Sequence, residues 1–114
     1  MKAWMMGAAL ALWAGAAWAA PSFSEYEAVT QLARELASDC RREVAAGPAS
    51  ERCDQFHDYL DGRYEDVSSA FRQHYDSVGA EAFSGVDPVR MRQHMLNESR
   101  LTSHLRYITE RLTL

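Results

Sequence analysis

The stretch CRREVAAGPASERC, residues 40–53, holds both cysteines of the chain, one on each side of Gly47-Pro48. Glycine commonly ends a helix and proline cannot continue one, so a turn is predicted between two helical arms. Cys40 lies seven residues before Gly47 and Cys53 six after it, which sets the two thiols at nearly the same height. Each also falls on the apolar stripe of its own arm. That placement suits the Cα separation of about 4.4–6.8 Å that a disulfide requires, and a structural Cys40–Cys53 bond is predicted. Other uses of the pair fail on spacing. Redox centres use C-x-x-C, haem attachment uses C-x-x-C-H, and a zinc site would need two further ligands.

The arms themselves are read from apolar periodicity. Ser24-Glu25-Tyr26-Glu27 has the layout of a capping box. After it, Tyr26, Val29, Ala33, Leu36, Cys40 and Val44 recur at steps of three and four, predicting a helix over 25–46. Beyond the turn, Cys53, Phe56, Leu60, Tyr64, Val67, Phe71, Tyr75 and Val78 keep the same rhythm and predict a helix over 51–78. Ser50 is its candidate N-cap and Gly79 its stop. Gly62 lies inside this helix, costs about 1 kcal/mol of propensity and marks a candidate bend. Residues 79–87, GAEAFSGVD, read as a connection with one helical turn around Glu81 to Phe83. Asp87-Pro88 then has the pattern of an N-cap and first helical residue, opening a third helix over 88–112. Its predicted stripe is Met91, Met95, Leu101, Leu105, Ile108 and Leu112. Nothing reads as a strand. The expected fold is all-α, a small antiparallel three-helix bundle (up-down-up) whose N-terminal helical hairpin is linked by the disulfide.

This domain is expected to span 20–114, because the first nineteen residues read differently. Met1-Lys2 is followed by the uncharged run AWMMGAALALWAGAAWA, closing on Ala17-Trp18-Ala19. That is the layout of a secretory signal peptide cleaved after Ala19, with retention as an anchor the alternative. A periplasmic or secreted location follows, and with it an oxidising compartment. No membrane span is expected after cleavage. A chain this small has a marginal core, so one covalent staple matters.

Loss of Lys2 would leave eleven arginines against sixteen acids, a net charge of −5. Nucleic acid is a poor partner for such a balance. The charge is uneven: residues 25–66 hold eleven acids and five arginines, whereas residues 87–114 hold three acids and five arginines. Asp54, Asp58, Asp61 and Glu65 follow at i, i+4, i+7 and i+11, which on an unbroken helix forms one acidic face with His57 at its border. Arg90, Arg92, Arg100 and Arg106 of the third helix could offset it, as could a cationic partner. His94 and Glu98 form an i, i+4 polar notch in the third apolar stripe, read as a rim pair or a partner-facing feature. The Asn97-Glu98-Ser99 sequon sits inside a predicted helix and is discounted.

No G-x-S-x-G elbow or other catalytic signature occurs, and no cofactor is implied. The expected function is therefore that of a non-enzymatic interaction protein using its acidic face to meet another protein: a periplasmic partner, inhibitor or chaperone-like helper. Two copies could also pair as a homodimer. The alternative is a small ligand- or metal-binding bundle built on His57 with Asp54, Asp58 and Asp61, or on His94 with Glu98.

Overall fold

The computed structural model describes residues 20–112, which contain helices and no strand. The signal segment expected over 1–19 lies outside the described residues. Helix α1 spans Phe23–Ala46, α2 spans Glu51–Tyr59, and a π-helical turn over Leu60–Tyr64 joins α2 directly to α3, Glu65–Val78. A 3₁₀ turn over Gly79–Phe83 leads to α4, Pro88–Leu112. The sequence thus yields three helical rods, the second one interrupted. No described helix is long and apolar enough to cross a membrane.

Helix α1 begins earlier than the capping box at Ser24 predicts. Ser22 is the N-cap, and its Oγ accepts from Glu25 N at 3.2 Å. The same Ser-x-x-Glu logic therefore acts two residues upstream, and Phe23 enters the helix and the core. At the other ends, Gly79 (φ 66°) and Gly85 (φ 80°) take the left-handed conformations that let the chain leave α3 and turn into α4.

The disulfide is formed, with the Cα atoms of Cys40 and Cys53 4.4 Å apart and both residues buried. A second clamp adjoins it. The Glu43 carboxylate accepts from Ser50 N at 2.8 Å, Arg52 N at 3.1 Å, Cys53 N at 3.0 Å and the Ser50 hydroxyl at 3.1 Å. Ser50 occupies the N-cap position of α2, yet its side chain caps nothing. A glutamate from the end of α1 supplies the acceptor instead, set against the positive end of α2.

Helix α1 is the common partner. It packs most extensively on α4, next on α2, and also on α3 and the π turn, whereas α4 makes no comparable contact with α3. One core cluster gathers Ala33, Ala37, Cys40, Val44, Cys53, Phe56, Leu101 and Ile108. The other gathers Phe23, Tyr26, Val29, Val67 and Phe71. Tyr59 and Tyr64, at the two ends of the π turn, pack against both. The α1–α4 seam carries polar pairs at one fixed offset: Arg90 grips Glu27 through Nε and Nη2 at 2.8–3.0 Å, and Arg41 Nη1 lies 3.3 Å from His104 Nδ1.

Two expected stripes are turned by the structure. In the second rod, Glu65 N bonds Leu60 O, a π-type step that slips the following residues by roughly 100°. Ser68 is buried beside Val67 and Phe71, while Tyr75, expected in the core, is 46% exposed. In α4 the buried line is His94, Asn97, Leu101 and Ile108. Met95 and Leu112, expected to face inward, are 61% and 50% exposed. The Arg90–Glu27 pair and the packing of His94 on the rings of Phe23 and Tyr26 fix this rotation.

Reduction, or a Cys40→Ser, Cys53→Ser variant, is expected to release about 3 kcal/mol of loop constraint and to lower the melting temperature by about 10–25 °C in a calorimetric scan. Glu43 supplies a separate, acid-sensitive contribution. Its hydrogen bonds, that from Ser50 N foremost, hold its carboxyl at about 2. The folded value lies below the unfolded one, so this stability is present above about pH 4.5 and is lost as pH falls towards 2. Glu43→Gln should flatten the stability profile in that window; an unchanged profile in urea titrations would show that Glu43 is not the titrating cap.

Candidate functional site

Because α4 leans on α1 and not on α3, a groove of about 350 Å³ remains between α3 and α4. Its lining is Tyr26 from α1, Phe71, Arg72 and Tyr75 from α3, Phe83 from the 3₁₀ turn and Glu98 from α4. The rings form one array. Tyr26 stacks on Phe71 with centroids 4.6 Å apart, and Phe83 meets Phe71 at 5.3 Å and Tyr75 at 5.6 Å, both edge to face. Offset and edge contacts of this kind add about 0.5–1.5 kcal/mol each beyond area burial and hold the walls stiff. Met91 and Met95 precede Glu98 by seven and three residues and so share its side of α4.

The groove is polar at its inner edge. His94, 1% exposed, sits against the rings of Phe23 and Tyr26 at 5.1 and 4.7 Å. Its Nε2 lies 2.5 Å from Glu98 Oε1, a close contact without hydrogen-bond alignment, and its Nδ1 has no partner. Asn97 Oδ1 is also buried without a partner among the described residues. Burial, and then the Glu98 charge, raise the Tyr26 hydroxyl above its ordinary range; the same two causes raise Tyr64. Both phenols therefore stay protonated through the neutral range, next to a half-exposed carboxylate and within the field of Arg72.

The residues singled out in the sequence fall in two places. His94 and Glu98 meet at the inner edge of the groove. Asp54, Asp58, Asp61 and Glu65 are exposed on the second rod, and His57 is partly buried beside Phe56, with ring centroids 5.4 Å apart. The π slip carries Glu65 off the line of the three aspartates, so the four-carboxylate face reduces to three. Nor do the arginines of α4 offset it: Arg90 is taken by Glu27 and by Ser24 Oγ, and no ion pair joins Asp54, Asp58 or Asp61 to any described residue. Among the described residues, no three His, Cys, Asp or Glu side chains converge to hold a metal. Asn97 of the sequon is 4% exposed, which removes it from reach of glycosylation in the folded chain.

Tyr26, Tyr64, Phe71, Arg72 and Phe83 were missed as a site because they read as stripe residues or loop. Only the unmatched polarity of His94 and Glu98 on an apolar stripe signalled the place. The chain matches no family model, and neither a curated protein nor a solved structure shows significant similarity to it.

The raised phenols give a signed expectation in alkali. A tyrosine whose folded value lies above the unfolded 10.0 contributes stability that is complete below pH 10 and is lost as pH rises through the folded value. Tyr26→Phe should therefore lose stability less steeply than the parent chain above pH 10, followed by denaturant melts. Parallel curves would place Tyr26 in contact with solvent.

Proposed function

We propose that the protein is an exported, non-enzymatic interaction protein that receives a segment of a partner protein in the α3–α4 groove. The observation that carries this reading is the open aromatic groove with Glu98 at its inner edge. Apolar side chains of the partner fit between Phe71, Tyr75 and Phe83, and a basic group on it meets Glu98. The exposed Tyr75 ring and the half-buried Phe83, set on the buried Phe71 and beside Arg72 and Glu98, have the aromatic and arginine composition of binding hot spots. The unpaired Asp54, Asp58 and Asp61 add a long-range attraction for a cationic partner, acting on the rate of encounter.

The up-down-up antiparallel arrangement belongs to the same proposal. Its support is the pattern of contacts: between α1 and α4 the numbers of paired residues differ by a constant 63, while between α1 and the second rod they rise on one side as they fall on the other, as in Cys40 with Cys53 and Tyr26 with Phe71. A periplasmic or secreted setting is compatible with the disulfide. The metal-binding alternative has weaker support, since the aspartates and His57 do not gather into a ligand set.

Site-specific photo-crosslinking in a periplasmic extract tests the reading. A benzophenone side chain at Tyr75 should label one discrete protein, less at high salt and less again with Glu98→Lys, while the same group at Arg106 labels nothing discrete. Labelling of a second copy of this chain would make the partner a homodimer mate. Equal labelling from both positions, or none from Tyr75, overturns the proposal.

A further inference from the structure

A second charged feature lies in the α1–α4 seam, formed by neither the groove nor the aspartates. Arg41 Cζ stands 4.2 Å over the Tyr107 ring, and Arg111 Cζ stands 5.0 Å from the same ring. Arg41 Nη1 is 3.3 Å from His104 Nδ1. Burial, and then Arg41, Arg34 and Arg100, depress the basicity of His104, which places all three guanidiniums within electrostatic reach of one imidazole. Neutral His104 can accept from Arg41 at Nδ1, so the pair is compatible without a second positive charge. Among the described residues, Arg34 reaches Glu35 at 3.6 Å, and no carboxylate within ion-pair distance of Arg41 or Arg100 is found. The Nε of Arg34 is buried with no acceptor.

We infer that this seam, around Tyr107, is a binding site for a phosphate-type oxyanion, with Arg41 and Arg111 as its principal donors and Arg34 and Arg100 as supporting charges. Like charges gathered at one seam repel one another, and an anion removes that repulsion when it binds. Stacking on Tyr107 holds two guanidiniums with restricted rotamers, so less freedom is lost when they engage oxygen atoms. Guanidinium forks match the geometry of phosphate oxygens, and Arg41 spends one N–H on His104 while the rest stay available. A compact dianion suits the site better than a long polyanion, which the net charge of −5 expected for the cleaved chain repels. The chemistry is common to free phosphate and to a phospholipid headgroup.

The test uses the folded, oxidised protein with inorganic phosphate as probe, against chloride at matched ionic strength. Saturable binding with a dissociation constant in the millimolar range or below is expected, read by calorimetry and by movement of the His104 ring signals in NMR. Arg41→Gln with Arg111→Gln should weaken it at least tenfold. Arg100→Gln, on an exposed side chain, should weaken it several-fold without touching the fold, and Arg106→Gln should leave it unchanged. Vesicles of phosphatidylglycerol, compared with phosphatidylcholine, separate the sources. Sedimentation with phosphatidylglycerol that phosphate competes away identifies a headgroup, and phosphate binding without sedimentation identifies the free ion. A phosphate response no larger than that of chloride, or one equally strong in the Arg41, Arg111 and Arg100 variants, overturns the inference.

Discussion

The close approach of α1 to its two neighbours is the constraint on which the rest of the structure depends. Ala33, Ala37 and Cys40 are fully buried along α1, and their small side chains let α2 and α4 both come near the same helix. A helix buried on two sides gives its neighbours little reason to touch each other. Helix α4 rests on α1, α3 rests on α1 at its far end, and the space between them stays open. The groove is thus a consequence of how α1 is shared. A domain of this size with an incompletely closed core has a narrow stability margin, and the chain concentrates its reinforcement at one corner. The disulfide joins α1 to α2 covalently, and Glu43 satisfies three backbone donors of α2 beside it.

The π turn acts on the second rod as a change of phase. Had the helix continued without it, Tyr75 would have followed Phe71 into the interface and Ser68 would have faced away. The slip exchanges them, placing a small hydroxyl in the seam and an aromatic ring on the wall of the groove. Tyr59 and Tyr64 bracket the turn and bridge the two apolar clusters. Ser68, His94 and Asn97 are buried polar residues, and His94 packs on the Phe23 and Tyr26 rings of the second cluster. His94 Nδ1 and Asn97 Oδ1 find no hydrogen-bond partner among the described residues, and a buried polar atom so left costs about 1–3 kcal/mol.

Much of this was legible in the residues. Helix ends followed from Gly47, Gly79 and Pro88, though the capping box at Ser24 misplaced the first start by two residues, and the disulfide followed from counting outward from one turn. What escaped was whatever depends on two helices at once. Glu43 reads as a surface charge until the start of α2 is brought beside it. Gly62 signals a bend but not its kind, and a π slip moves every later side chain to a new face. The stripe of α4 was misread because two of its buried positions are His94 and Asn97, which a hydropathy count assigns to the surface. Their burial is driven by partners on α1: the Phe23 and Tyr26 rings for His94, and the Glu27–Arg90 pair that fixes the helix rotation.

The distribution of charge illustrates the same dependence. Net charge describes the chain as acidic, yet its charges are unevenly spread: Glu27 pairs with Arg90 and Asp39 with Arg42 and Arg52, while other charges stand apart. Asp54, Asp58 and Asp61 on the second rod form no ion pair with a described residue, while Arg41 of α1 and Arg111 of α4 share the Tyr107 ring across the α1–α4 seam. The Debye length is about 8 Å at physiological salt, shorter than the thickness of two packed helices, so the two surfaces are largely screened from each other. Each surface presents its own local field. The field that each surface of an acidic protein presents is decided by where α1 places each rod, not by the sum of the charges.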